Sequence, residues 1–155
     1  MNFFASLQSS AVSVWIRESN SIWAFPTVLT LHTFGMMVLF GAAIVVDMRL
    51  LGIARQIPIA SLRVLFRIMW WAFWLNLVTG VALFAADAEQ KSTSWLFFVK
   101  LGFVIAGIVT MRRLHARLYG AAGGVPVLSG LRGLAIASLV VWTAAVTAGR
   151  LLAYV

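Results

Sequence analysis

Cysteine is absent from this 155-residue chain. With it go disulfides, thiolate metal sites, iron–sulfur clusters and cysteine nucleophiles. Charge is scarce as well: Asp, Glu, Lys and Arg make up 10% of the residues, while 63% are hydrophobic. A soluble domain carries about 25% charged residues, so the groups that would coat a water-facing surface are missing and a soluble globule is excluded. So apolar a chain does not stay solvated as a disordered one either. Carboxylates number four (Glu18, Asp47, Asp87 and Glu89), and none sits in the middle of an apolar run. A proton relay built on buried Asp or Glu is therefore unavailable. No metalloprotease pattern, phosphate loop or dinucleotide fingerprint is present. No basic residue precedes the first apolar stretch, so the first twenty residues do not read as a signal peptide.

What is present is four long apolar segments, each able to span a bilayer, for which about 20 residues suffice. They predict spans over about 22–46, 64–86, 95–111 and 133–154 in a single domain of 1–155. In lipid every backbone polar group must be satisfied within its own segment, which favours helices. The runs are too continuous for an alternating barrel. The expected fold is an all-α polytopic membrane protein: a four-helix transmembrane bundle preceded by an amphipathic helix over 1–20. In that first segment Phe3, Phe4, Leu7, Ala11, Val14 and Trp15 share one helical face, and Ser6, Ser9, Ser10, Ser13 and Arg17 the other. Such a helix lies flat in the interface.

The net charge of +8 is explained by topology. Eight of the twelve basic residues (Arg49, Arg55, Arg63, Arg67, Arg112, Arg113, Arg117 and Arg132) fall in or beside the loops expected at 47–63 and 112–132. The loop at 87–94 is near neutral. The positive-inside rule then places the two basic loops in the cytoplasm and both termini outside, with Trp23 and Trp95 in the outer aromatic belt. Membrane lipids are the expected partners and nucleic acid is not. Pro58 marks the start of the second span.

Polar residues within the spans are functional candidates, because an ionisable group in lipid is costly without a partner. Three stand out: His32, Asn76 and Lys100. At 1.5 Å per residue, His32 and Asn76 lie about 16 Å from the outer boundary and Lys100 about 8 Å. His32 shares a face with Gly35, Met36, Leu39 and Ala43, which leaves room beside it for the edge of a flat macrocycle or for a closely packed helix. Two readings of His32 stay open: a neutral imidazole bonded to Asn76 or to a neighbouring carbonyl, and an axial ligand of haem iron. Lys100 either snorkels to the headgroups or pairs with a propionate or anionic substrate. Asn76 reads as interhelical glue.

His115 is about 14 Å deeper than His32, so a bis-histidine iron site within one chain is not expected. The sixth ligand would come from Met36, Met37, Met69, water or another subunit, and His115 would lie near lipid phosphates. Asp47 is expected to pair with an arginine of a neighbouring loop. Trp70, Trp71 and Trp74 form an aromatic cluster for packing or for lipid. Gly102, Ala106 and Thr110, and then Gly133 and Ala137, make small-residue stripes suited to close helix contacts within the bundle or between protomers.

The stretch Leu31-His32-Thr33-Phe34-Gly35, with Gly41 and Asp47-Met48-Arg49-Leu50-Leu51-Gly52, resembles a group of uncharacterised four-helix bacterial inner-membrane proteins. It is more distantly similar to the copper-resistance CopD-like membrane domain and to HemJ-type protoporphyrinogen oxidases, in which a Leu-His pair opens the first span and a Val-Lys-Leu motif a later one. Val99-Lys100-Leu101 stands in the corresponding place. The resemblance implies a bacterial inner-membrane location, b-type haem with His32 as axial ligand, and Lys100 as an essential cationic neighbour. The low acidic and tyrosine content and the arginine-rich inner ends depart from the HemJ-type pattern. The leading expectation is a small membrane protein binding haem b for electron transfer or redox chemistry, with His32, Lys100, Asn76, Gly35 and Met36 forming the site. The rival is a cofactor-free membrane subunit or homo-oligomeric scaffold of a larger complex; a transporter or channel has less behind it.

Overall fold

The computed structural model describes residues 23–120 and 128–152, together with Ser9, Ala11, Ser13, Val14 and Tyr154. The expected interfacial helix over 1–20 thus lies almost wholly outside the described residues. Of its positions, Ser13, assigned to the polar face, is buried, and Ala11, assigned to the apolar face, is exposed. Among the described residues the elements are α1 (Ala24–Leu51), α2 (Leu62–Ala86), a short α3 (Ala88–Thr93), α4 (Trp95–Tyr119) and α5 (Arg132–Leu151), with 3-10 turns leading into α2 and α5. The four long helices are each long and apolar enough to cross a membrane. The fold is the all-α four-helix membrane bundle that the apolar runs imply.

Local chemistry sets the helix ends. Pro26 falls in the first turn of α1, where its missing N–H costs nothing. At the other end Gly52 turns to φ +88°, and the N–H groups of Gly52 and Ile53 bond back to Arg49 and Met48. Only glycine takes that left-handed turn without strain, so the helix stops there. Pro58 precedes the turn at Ile59–Ser61, as its fixed φ predisposes.

Two helices outrun their expected spans. α1 continues through Asp47 and Arg49, and α4 continues past Met111 through Arg112, Arg113 and Arg117. These residues are therefore not in loops. Arginine is a good helix former, and a helix leaving hydrocarbon has no reason to end at the first charge. The 28 residues of α1 reach about 42 Å, well beyond the roughly 30 Å hydrocarbon layer.

The helices do not pack in sequence order around the bundle. α1 packs against both α2 and α5, and α5 against α4, whereas α2 and α4 barely touch. The ring is bridged at its two ends. Near α3 the rings of Phe84 and Phe97 stack at 5.0 Å. At the arginine-rich end Phe66 meets His115 and Tyr119 edge-on, Tyr119 donates its hydroxyl to the Ile59 carbonyl, and Arg63 lies over the Tyr119 ring. His115 is therefore part of a ring cluster between α2 and α4. Between these bridges α2 and α4 stand apart.

A tight core fills the arginine-rich half, with Val46, Leu50, Phe66, Met111, Leu114 and Ala135 almost fully buried. Of the expected stripes Thr110 is buried, but the glycines are not the ones that make the close contacts. A Cβ on Gly102 or on Gly133 would meet nothing within 4 Å, whereas one on Gly107 would lie 2.9 Å from the Trp142 ring. On α5 the buried small residues are Ala135, Ser138, Ala145 and Ala148. In lipid both faces of a helix are apolar, so a small-residue stripe alone does not say which face turns inward. Trp71 and Trp74 point outward, while Trp70 sits under Arg112.

Asp47 overturns the expected arginine pair. It is 1% exposed, and neither carboxylate oxygen has a hydrogen bond or ion pair among the described residues; the Ser138 hydroxyl on α5 faces it. The extension of α1 carries this side chain into the bundle, away from the loop arginines. An amide of the same shape brings no charge to desolvate. Asp47→Asn is therefore expected to unfold within about 1 kcal/mol of wild type, or to be more stable, and Asp47→Lys to lose the fold. Thermal unfolding in detergent micelles measures both.

Candidate functional site

The cavity between the four long helices, in the half away from the arginine-rich end, is built around the polar residues of their spans. It has a volume of about 230 Å³. His32 and Met36 enter from α1, Asn76 and Gly80 from α2, Lys100 from α4 and Trp142 from α5, with Phe84 and Phe97 at one end. Four of the five expected site residues thus line one space. The fifth, Gly35, lies just behind it: a Cβ there would sit 2.5 Å from Asn76 Nδ2, so the glycine is what lets the Asn76 side chain pack on α1.

His32 is oriented by α2. Its Nδ1 lies 2.9 Å from Thr79 Oγ1, and its Cε1 edge rests on Gly80, where a Cβ would approach to 3.2 Å. Thr79 has one hydroxyl proton, and that proton is directed to the main chain of its own helix: Oγ1 is 2.7 Å from the Leu75 carbonyl and 3.3 Å from that of Asn76. With that proton given to the main chain, the hydroxyl accepts from His32 in the tautomer that carries the ring proton on Nδ1. Nε2, on the other edge of the ring, keeps its lone pair. This is the arrangement in which histidines bind metals, one nitrogen donating to a protein acceptor and the other free to ligate.

The expected bond to Asn76 or a neighbouring carbonyl is met by the Asn76 main chain, while the Thr79 hydroxyl is a partner that the sequence reading did not name. Asn76 does not bond the ring through its side chain; Nδ2 donates to the Ala72 carbonyl and Oδ1 is buried with no partner. Thr79 went unnoticed because a threonine in an apolar helix ordinarily bonds its own i−4 carbonyl, as this one does. The signal lay in spacing: Thr79 is three residues from Asn76 and shares its face. Trp142 was missed for a different reason, since nothing in an apolar α5 marks one aromatic as inward. It is 2% exposed, and its Nε1 is also without a partner.

Lys100 lines the same cavity and reaches across to α5, where a Cβ on Gly149 would meet its Cε at 3.3 Å and its Nζ at 3.5 Å. Its ammonium makes no hydrogen bond or ion pair among the described residues, and it stands within electrostatic reach of His32. The residues that line the cavity include two donors, Lys100 and Trp142 Nε1–H, and two acceptors, His32 Nε2 and Asn76 Oδ1, of which Trp142 Nε1 and Asn76 Oδ1 are fully buried. The remaining walls are apolar. No group of three or more His, Cys, Asp or Glu side chains able to hold a bare metal ion exists among the described residues. A single histidine is instead the number that an axial site on a macrocycle needs.

Of the sulfur ligands considered for a sixth position, Met36 lies one turn from His32 on the same face, so it cannot take the opposite side of the same iron. Met37 points outward and Met69 is buried in the core at the arginine-rich end. Protein-family models, curated proteins and solved structures were each compared with this chain, and none matches.

Proposed function

We propose that the cavity holds a b-type haem by its edge and that the protein serves electron transfer or redox chemistry in a bacterial inner membrane, with both termini on the outer side. The observation that carries this reading is the Thr79–His32 pair, which leaves Nε2 free inside a space that Lys100 also lines. His32 Nε2 would take the iron, and Lys100 and Trp142 Nε1–H would hold a carboxylate of the group. Phe73, Leu77, Phe84 and Val104 would give it an apolar surround. When bound, haem supplies a one-electron couple. About 230 Å³ is less than the roughly 300–1,000 Å³ of typical enclosed ligand sites, so most of the macrocycle would lie between α2 and α4. The sixth position then falls to water or to a group outside this chain.

A reduced-minus-oxidised absorption spectrum of protein expressed with added haem is the test. A Soret band with b-type features supports the reading, and its absence overturns it. The supporting role of Thr79 is tested separately. Thr79→Val keeps the shape but removes the acceptor, and haem titration of the apo-protein is expected to show affinity lower by about 10- to 100-fold, with Thr79→Ser close to wild type.

The volume favours a second reading, a membrane-dissolved amphiphile whose ring-sized head alone enters the cavity and uses both donors and both acceptors. A protein without a Soret band that retains such a molecule through purification would favour it. A colourless protein retaining nothing, recovered in a larger assembly unaffected by His32→Ala, would favour a cofactor-free subunit or scaffold.

A further inference from the structure

At the arginine-rich end four of the eight arginines are already occupied within the chain. Arg63 covers Tyr119, Arg112 covers Trp70, Arg49 donates to the Ile57 carbonyl and Arg55 to that of Gly52. Arg113 and Arg117 make no such contact among the described residues. They stand one turn apart on α4, and together with Ala116 they line a groove of about 690 Å³ whose other wall is Gly130, Gly133 and Leu134 at the start of α5. No acidic residue lines it among the described residues. Asp87 and Glu89 belong to the connection at the opposite end, and Asp47 is sealed in the core.

We propose that this groove binds the phosphate headgroup of an anionic phospholipid from the adjoining leaflet. Two unpaired guanidiniums on one helix face present a fork of N–H donors that matches phosphate oxygens. Basic pockets between transmembrane helices commonly hold such headgroups. The glycine wall supplies the room: a Cβ at Gly130 or Gly133 would meet nothing within 4 Å. The acyl chains of a lipid seated there continue along the apolar flanks of α4 and α5, which a free phosphate in solution would not use. The site is independent of the haem reading, lying at the other end of the bundle.

The full chain, purified from membranes and passed into detergent, is examined by native mass spectrometry after incubation with phosphatidylglycerol or phosphatidylcholine. Wild type is expected to retain the anionic lipid and not the zwitterionic one. At about one kcal/mol per arginine, Arg113→Gln or Arg117→Gln alone should weaken retention about fivefold and the double variant about 30-fold. Arg67→Gln on α2, outside the groove, should leave it unchanged. Gly133→Leu provides a variant that fills the groove while keeping both arginines, and it should also lose the lipid. Equal retention of both lipids by wild type, or undiminished retention by the double variant and Gly133→Leu, overturns the proposal. So does displacement of the lipid by millimolar inorganic phosphate, which would assign the groove to a soluble anion.

Discussion

His32→Ala is expected to yield a folded, colourless protein. The ring is half-buried and its own contribution to packing is modest, because it rests on Gly80 and bonds one threonine hydroxyl. The loss therefore falls on the cofactor, with the Soret band absent and helical circular dichroism unchanged. His32→Gly with added imidazole should restore part of the absorbance, since the free ligand can occupy the same space against Gly80. Lys100→Met should leave the band in place but weaken haem retention, because in the proposed site the ammonium would contribute charge and not the iron bond, and Lys100→Arg should retain more. A Soret band of wild-type intensity in His32→Ala would remove His32 from the site. Gly80→Leu adds a check from α2, since its side chain takes the place of the His32 ring edge and should abolish the band as fully as removing the histidine.

A large effect on stability is expected at Trp142. It is buried to 98%, lies against Gly107 and lines the cavity from α5. Truncating a buried tryptophan to alanine costs about 3–5 kcal/mol, from lost contacts and from the void left behind. Trp142→Ala should therefore shift unfolding in a denaturant titration by that amount and loosen the α4–α5 pair. The reciprocal change makes the same contact too crowded. A methyl on Gly107 would stand 2.9 Å from Trp142 Cε2 and Cζ2, so Gly107→Ala is expected to cost about 1–3 kcal/mol. Combined with Trp142→Phe, a smaller ring, the Gly107→Ala penalty should shrink. Equal penalties in both backgrounds would show that the two residues do not meet.

The membrane bundle was legible because it follows from a property that accumulates along the chain. Twenty consecutive apolar residues leave the backbone no choice but a helix in lipid, and four such runs give the fold. His32, Asn76 and Lys100 were legible for a related reason, since a polar group in an apolar run is conspicuous whatever its partners. Which helices touch was not legible. Ordinary amphipathicity, which tells a soluble helix where its core lies, is weak when solvent and core are both hydrocarbon. Hence Gly102 and Gly133 drew notice while Gly107 makes the close approach, and Trp142 could not be told from the outward Trp71 and Trp74. Asp47 failed for a third reason. Its expected arginine partner presupposed a loop, and the four further residues of α1 before Gly52 rotate the carboxyl inward instead. The proton position on His32 likewise depends on Thr79, a residue whose role appears only when α1 and α2 are laid side by side.

The gap between α2 and α4 fixes how anything reaches His32. Phe84 and Phe97 stack at one end of the cavity and the packed core fills the arginine-rich half, so the sparse α2–α4 side is the one that faces acyl chains. Occupancy then answers to a ligand's mole fraction in the bilayer and not to its molarity in buffer. Diluting the protein into more lipid at constant total ligand would empty the site, while adding water would not.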